Sequence, residues 1–200
     1  MVIVRVCGIV GSPVKKGNVD LLVSRVLEGA KSEGAETEKI YLNDLKIRPC
    51  QDCVKDPDPE YCLFDDDMNV IYDALDSCDV IVLGSPLYFD TVSAQTKLMI
   101  DRCNCLMPYV KHEDGTYGFE RRKKSRNKGV FVAVGGQDRD FTPILTTVKA
   151  FFKWANIEFV DKIFYGQTDE VRGGVKDDEE TMAKAFEIGV RITAPAERTE

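Results

Sequence analysis

Three cysteines lie close together in the segment "PCQDCVKDPDPEYC", residues 49–62, at Cys50, Cys53 and Cys62. Closely spaced cysteine thiolates are the usual ligands of iron–sulfur clusters and of structural zinc. Four of them would be typical of such a centre, whereas three leave open a broken site, an unusual site or no site. The segment is therefore a candidate metal site, and the rest of the chain decides which chemistry it would serve.

A second candidate site is the polar loop "GSPVKKGNV", residues 11–19, which follows an apolar run. Backbone N–H groups in such a loop, and in the first turn of a following helix, lack partners and can bind a phosphate. Ser12 can add a hydroxyl group, and Asn18 an amide or a helix cap. Gly11 and Gly17 permit close backbone approach. The spacing matches neither the nucleoside-triphosphate loop nor the dinucleotide fingerprint, so an ordinary capped turn is the alternative.

Two further loops carry residues that suit a planar ligand. In "GSPLYFDTVSAQTKLMIDR", residues 84–102, Pro86 shapes a turn, and Tyr88 and Phe89 follow it at the place where a flat ring would lie. The loop "GGQDRD", residues 135–140, offers backbone amides to the same ligand. Each loop taken singly has plain packing as its alternative. Together with the phosphate loop they predict a site for a mononucleotide with a flat ring.

The pattern of apolar residues predicts strands that alternate with helices. Nearly continuous apolar runs, typical of strands covered on both faces, lie at 2–10, 78–86 and 129–136, and further strand candidates lie at 37–42 and 158–166. Apolar residues at helical spacing lie at 19–30, 66–77, 94–106, 142–157 and 178–191. This alternation predicts an α/β fold with a doubly wound parallel sheet in the order 2-1-3-4-5, in which ligands bind beyond the carboxyl ends of the strands.

Length and composition predict one domain over residues 1–193, with a polar insertion at 108–127 and a loose tail at 194–200. The formal net charge is −7, from 27 basic and 34 acidic residues, which argues against nucleic acid and anionic membranes as partners. The sequence contains no apolar run of about 18 residues and no leader pattern. We therefore expect a cytoplasmic protein whose seven cysteines are thiols or ligands rather than disulfides.

The segments quoted above resemble a known family. "GSPVKKGNVDLLV", "PCQDC…CLFDDDM" and "CDVIVLGSPLYFDTVSAQTKLMIDR" are similar to the flavodoxin-like NAD(P)H-dependent FMN reductases, and most closely to the iron–sulfur flavoproteins among them. The resemblance covers residues 2–155 and is most specific over 84–102. It implies a flavodoxin-like fold, FMN as cofactor, a [4Fe–4S] cluster on closely spaced cysteines, and a homodimer or homotetramer. It also implies electron transfer between a ferredoxin-type or NAD(P)H donor and a small acceptor such as oxygen, peroxide or a quinone.

Carried onto this chain, the resemblance assigns the phosphate of FMN to the 11–19 loop and the flavin ring to the loops after the third and fourth predicted strands. Val19 departs from the threonine that the family usually has there, which removes one hydroxyl contact worth about 0.5–1.5 kcal/mol. The implied cofactor-binding residues are Ser12, Pro13, Lys15, Gly17, Asn18, Val19, Pro86, Leu87, Tyr88, Phe89, Gly135 and Gly136.

The iron–sulfur flavoproteins share a motif close to C-x2-C-x2-C-x5-C, which on this chain falls on Cys50, Cys53, Asp56 and Cys62. An aspartate thus occupies the position of the third cysteine. Asp56 could supply an oxygen ligand to a [4Fe–4S] cluster, or fail to bind and favour a three-iron cluster or none. The same residues could also hold zinc, which accepts thiolate and carboxylate ligands together. A fourth alternative is a loop of packed thiols without any metal.

These observations favour an FMN-dependent oxidoreductase in which the flavin supplies the chemistry. The site residues would then bind and orient the cofactor, and we assign no residue as a catalytic acid or base. One alternative is an NAD(P)H-dependent FMN or quinone reductase without a cluster. Another is a non-enzymatic flavin electron carrier.

Overall fold

The computed structural model describes residues 3–53, 62–123, 125–167 and 172–193. The strands within these ranges are β1 (Arg5–Val10), β2 (Glu36–Tyr41), β3 (Val80–Pro86), β4 (Tyr109–Lys111), β5 (Tyr117–Phe119), β6 (Asn127–Gly136) and β7 (Ile157–Gln167). The helices within the same ranges are α1 (Asn18–Ser32), α2 (Met68–Ser77), α3 (Ala94–Arg102), α4 (Thr142–Trp154) and α5 (Glu179–Thr193). Short 3-10 turns follow β2, α3 and β7 at Leu42–Asp44, Cys103–Leu106 and Gly174–Asp177.

Five strands form one parallel sheet in the order β2-β1-β3-β6-β7. This is the doubly wound order 2-1-3-4-5 that the sequence predicts, because β4 and β5 pair only with each other as a small antiparallel hairpin. The chain reverses its direction of winding between β1 and β3, so a crevice opens at the carboxyl ends of those two strands. The fold thereby places the two predicted cofactor loops side by side.

Alternate side chains of the central strands enter two separate cores. On β3, Val80 and Val82 face the layer formed by α1 and α5, whereas Ile81 and Leu83 face the layer that contains α2, α3 and α4. Every residue of β3 is buried, which explains its continuous apolar sequence. Among the described helices, none has both the length and the apolar composition needed to cross a bilayer.

The structure corrects several predicted boundaries. The third helix ends at Arg102 and continues only as the 3-10 turn Cys103–Leu106, rather than as helix to residue 106. Cys78, predicted at the start of a strand, instead caps the end of α2, although it is buried as expected. The predicted insertion 108–127 contains the hairpin, and its last residue already belongs to β6. The tail at 194–200 lies outside the described residues.

Candidate functional site

The loop between β1 and α1 lies directly against the end of β3. The N–H of Gly11 donates to the carbonyl oxygen of Gly84 over 2.7 Å. A Cβ at Gly11 would lie 1.8 Å from Oγ1 of Thr96 and 3.0 Å from that carbonyl oxygen, so only glycine fits this close approach. Ser12 is buried, and its Oγ accepts from the N–H of Val14 over 3.2 Å. The hydroxyl hydrogen of Ser12 therefore remains available to a ligand.

Among the described residues, the N–H groups of Asn18 and Val19 at the start of helix α1 have no hydrogen-bond acceptor, and such groups can bind a phosphate. Gly17 is the N-cap residue and makes no side-chain cap, so of the two roles predicted for Asn18 the helix cap is excluded. The Oδ1 atom of Asn18 instead accepts from the N–H of Val175 over 3.0 Å. The first-turn N–H groups of Asn18 and Val19 have no acceptor within the helix, and the side chain of Val19 is buried in the core.

Lys15 of this loop contacts two residues at and just after the end of β2, namely Tyr41 and Asp44. Lys15 is exposed, and its Nζ lies 2.6 Å from a carboxylate oxygen of Asp44 and 4.9 Å from the centre of the Tyr41 ring. The hydrogen bond to Asp44 raises the pKa of Lys15. Pro13 is exposed two residues before Lys15. The loop therefore presents a fixed cation at its outer side.

A buried network of hydroxyl groups joins the β1 loop to the β3 loop. The Oγ of Ser93 donates to the carbonyl oxygen of Gly11 over 2.6 Å and accepts from the N–H of Thr96, capping α3. The Oγ of Ser85 accepts from the N–H of Ser93 over 2.9 Å. Ser85, Ser93 and Thr96 are each 0 % exposed. The network fixes the separation of the two loops, and the sequence analysis did not identify these residues.

The loop after β3 presents two aromatic side chains to solvent on a strained turn. Tyr88 and Thr91 exchange both backbone hydrogen bonds at 3.0 Å, and the two central residues, Phe89 and Asp90, have φ angles of 48° and 60°. Left-handed backbone is unfavourable for residues other than glycine. Phe89 is fully exposed and Tyr88 about half exposed. The strained turn therefore holds the Phe89 ring in water at a cost in free energy, an arrangement that suits a surface on which a flat ligand stacks.

Two glycines at the end of β6, Gly135 and Gly136, lie at the same edge of the sheet. The N–H of Leu87 donates to the carbonyl oxygen of Val134 over 2.7 Å. A Cβ at Gly135 would lie 3.2 Å from side-chain atoms of both Leu87 and Phe141, so the β3 and β6 loops touch. Pro86 pairs with Val134 in the sheet register. All three predicted loops therefore meet at the carboxyl edge, where the sequence analysis expected them.

The cysteine segment is only partly described. Cys50 and Cys62 are half-buried and Cys53 is exposed, all as free thiols, whereas Asp56 lies outside the described residues. Within the described ranges, no three His, Cys, Asp or Glu side chains come together as a metal site. Cys50 also lines a cavity of about 590 Å³ between α3 and α4, and none of the predicted cofactor-binding residues lines that cavity.

A buried arginine anchors this segment to α3. The Arg102 side chain is 1 % exposed, and its guanidinium group donates to Asp66 over 2.7 Å and to the carbonyl oxygen of Arg48 over 2.8 Å. It also donates to Sγ of Cys62 over 3.3 Å. Burial alone would raise the pKa of Asp66, but the hydrogen bonds from Arg102, Arg48 and Met68 outweigh it and lower that pKa. The sequence analysis missed Arg102 because its partners lie 36 to 54 residues away.

Several known proteins are similar in sequence to this chain. The family model described as NADPH-dependent FMN reductase matches residues 4–168. An iron–sulfur flavoprotein of Methanocaldococcus jannaschii is 40 % identical over 131 residues, which are 66 % of this chain and 62 % of that protein. An iron–sulfur flavoprotein of Methanosarcina thermophila is 35 % identical over 98 residues, 49 % of this chain and 51 % of that protein. The matches to these two relatives thus span between half and two thirds of their length.

A solved structure supports the fold at lower identity. An FMN-dependent NADH-azoreductase from Bacillus anthracis, solved in complex with FMN, superposes with a TM-score of 0.67. The alignment covers 94 % of this chain and 99 % of that chain at 15 % identity. At this level of identity, the similarity establishes the arrangement of the sheet and helices alone.

Proposed function

The chain belongs to the NADPH-dependent FMN reductase family, and on that premise we propose that it binds FMN at the carboxyl edge of its sheet and acts as an FMN-dependent oxidoreductase. The observation that carries the proposal is the contact of three loops at this edge, one with free N–H groups, one with exposed rings and one with glycines. When bound, FMN would supply the hydride and electron transfer.

The residues of this chain would bind and orient the cofactor. Ser12 and the N–H groups of Asn18 and Val19 would donate to the phosphate, and Lys15 would add positive charge. Tyr88 and Phe89 would lie against the flavin ring, with Gly135 and Gly136 nearby. We assign proton transfer to none of these side chains, so their contribution is the position of the ring relative to a donor and an acceptor.

We also propose that Cys50, Cys53 and Cys62 hold an iron–sulfur cluster, with Asp56 at the remaining position. Thiolates are the ligands that such clusters require, and the N–H that Arg102 donates to Cys62 is the kind of hydrogen bond that supports a metal-bound sulfur. The names of the two archaeal relatives agree with a cluster. A reductase without a cluster is the second candidate, because the described residues bring no three ligands together.

The electron donor would be a ferredoxin-type protein if the cluster is present and NAD(P)H if it is not. The acceptor would be a small molecule such as a quinone, because the exposed rings of Tyr88 and Phe89 leave one side of the site open. Anaerobic titration of the oxidised protein with each donor, and of the reduced protein with each acceptor, distinguishes these cases.

The decisive experiment is the visible spectrum of anaerobically purified protein, combined with iron and sulfide assays. We expect flavin bands with additional broad absorbance, and the loss of iron in Cys62→Ser but not in Cys105→Ser, which removes a half-buried thiol outside the segment. Flavin bands without iron would select the reductase without a cluster. A colourless protein that takes up no added FMN would contradict both.

We propose further that a second copy of the chain covers the face around the β4–β5 hairpin. The ring of Tyr109 stacks on that of Tyr117 and meets that of Phe119 edge to face, and all three rings are 58 to 63 % exposed. Helix α4 separates a cavity that contains Asp52 and Asp101 from a cavity whose charged lining is mostly cationic, with Arg121, Arg126, Lys149 and Lys153 against the single carboxylate of Glu158. A two-fold axis would place opposite charges together.

Sedimentation equilibrium tests this interface. We expect a homodimer or homotetramer for the native chain and a lower mass for Tyr109→Ser/Phe119→Ser, whereas Val70→Ser, on the exposed side of α2, should keep the native mass. An unchanged mass in the double variant would overturn the assignment.

A further inference from the structure

Asp20 is a buried carboxylate immediately behind the phosphate loop. It lies in the first turn of α1 and is 3 % exposed. Its oxygens accept from the backbone N–H of Lys16 over 2.7 Å, from Nζ of Lys39 over 2.7 Å and from the hydroxyl of Tyr41 over 2.9 Å. Lys39 and Tyr41 come from β2, so one carboxylate joins the loop, the helix and the neighbouring strand.

The hydrogen bond to Lys16 acts on the most constrained residue of the loop. Lys16 has a φ angle of 60°, a left-handed conformation that a lysine adopts only when its surroundings impose it. On the other side of the loop, a Cβ at Gly173 would lie 2.9 Å from the carbonyl oxygen of Lys16. The backbone of Lys16 is thus held on both sides: Asp20 accepts from its N–H, and Gly173, just before the Gly174–Asp177 turn, lies against its carbonyl oxygen. Its conformation sets the direction of the N–H groups that follow it in the chain.

A carboxylate at this place would ordinarily oppose the binding of a phosphate. Burial alone would raise the pKa of Asp20, but the hydrogen bonds from Lys39, the Lys16 N–H and Tyr41 outweigh it and lower that pKa. Asp20 therefore stays ionised and can accept from the loop, while the Lys39 cation balances its charge. The loop gains a rigid acceptor without gaining a net negative charge.

We propose that Asp20 is a positioning residue that makes the site prefer FMN over riboflavin. It does so because it holds the backbone of Lys16 in the conformation that directs the N–H groups of the loop toward a phosphate. Lys39 balances the charge of Asp20. The inference rests on the proposed flavin site. Asp20 would touch no part of the flavin. Its loss should therefore change the affinity for the phosphorylated cofactor and leave the affinity for the ring unchanged.

The test compares the dissociation constants of flavin-free protein for FMN and for riboflavin. In Asp20→Ala we expect the FMN-to-riboflavin preference to fall about tenfold, since a charge-assisted hydrogen bond is lost, with riboflavin affinity unchanged. Asp20→Asn should restore most of the preference, because its amide oxygen can still accept from Lys16. Glu28→Ala removes the same charge at the far, exposed end of α1 and should match the native protein.

Two outcomes in Asp20→Ala would overturn the inference. One is an unchanged affinity for both flavins. The other is an equal loss of affinity for both flavins, which a general loss of structure would give. Should Asp20→Ala fail to fold, Lys39→Met still tests the proposal, because it leaves the Asp20 charge unbalanced and should selectively weaken FMN. An unchanged preference in that variant would also overturn it. A native protein that binds neither flavin would instead refute the proposed function itself.

Discussion

The guanidinium group of Arg102 donates a hydrogen bond to Sγ of Cys62 over 3.3 Å while it forms a buried ion pair with Asp66. Arg102 ends α3, the helix that follows the aromatic loop. The same side chain therefore links the element that carries the proposed ring-binding loop to the segment that carries the candidate cluster ligands. Among the described residues, this link is a direct physical connection between the two proposed redox sites.

Replacement of Arg102 by methionine should destabilise the protein strongly. Asp66 would stay buried without its cation, which costs about 3–5 kcal/mol in the free energy of unfolding. Urea unfolding at neutral pH measures the effect. The double variant Arg102→Met/Asp66→Asn removes both charges and should recover part of the loss. If Arg102→Met unfolds at the native urea concentration, the ion pair does not anchor the segment.

The carboxylate of Asp20 should make stability depend on pH. Its pKa is lowered in the folded protein, so its hydrogen bonds contribute above the ordinary carboxyl value of 3.8 and are lost as the pH falls through the lower folded value. At neutral pH, Asp20→Ala should cost about 1.5–3 kcal/mol. The difference between variant and native protein should shrink as the pH falls below that ordinary value. A difference that stays constant down to the acid transition would contradict this assignment.

The turn at Phe89 offers a test of strain kept for function. Phe89→Gly relieves the strain of the positive φ angle. In the absence of flavin, the Phe89→Gly variant should therefore be about 1 kcal/mol more stable than Phe89→Ala, after allowance for the greater backbone entropy that glycine gives the unfolded chain. Both variants lose the ring, and both should bind FMN more weakly than the native protein. Thermal unfolding and flavin titration measure the two effects. Unchanged FMN affinity in both variants would show that this ring does not contact the flavin.

Because Asp56 stands where the iron–sulfur flavoproteins have a cysteine, we predict that its replacement by cysteine increases the amount of metal that the protein retains. Asp56→Cys restores the spacing of the iron–sulfur flavoproteins, and a fourth thiolate should make the cluster more resistant to air. We expect more iron and sulfide to remain after aerobic gel filtration than in the native protein. Asp58→Cys adds a thiol at the wrong spacing and serves as the control. Equal retention in the two variants would contradict a ligand role for position 56.

The sequence predicted the sheet well because its central strands are buried on both faces. Strands such as β3 need apolar residues at every position, and a run of that kind is visible without any knowledge of partners. The edge strand β2 was harder to delimit, since only Ile40 among its residues is buried. The hairpin β4–β5 was missed because its short strands read as a polar insertion.

The sequence located the three loops of the candidate site but not the contacts that position them. Asp20 receives hydrogen bonds from Lys39 and Tyr41, 19 and 21 residues away, and Ser93 bonds to Gly11 over 82 residues. For Asn18 the local sequence offered a helix cap as one of two roles, whereas its observed partner Val175 lies 157 residues away. Pairings of this kind depend on the order of strands in the sheet, and no local pattern in the chain records them.

Hydrogen–deuterium exchange with and without FMN tests the location of the flavin most directly. We predict that saturating FMN slows exchange of the backbone amides in residues 11–19, 86–91 and 135–140, and that riboflavin protects the second and third stretches more than the first. Protection confined to the cavity between α3 and α4, lined by Cys50, Leu98 and Trp154, would contradict the proposed site, as would a lack of protection anywhere.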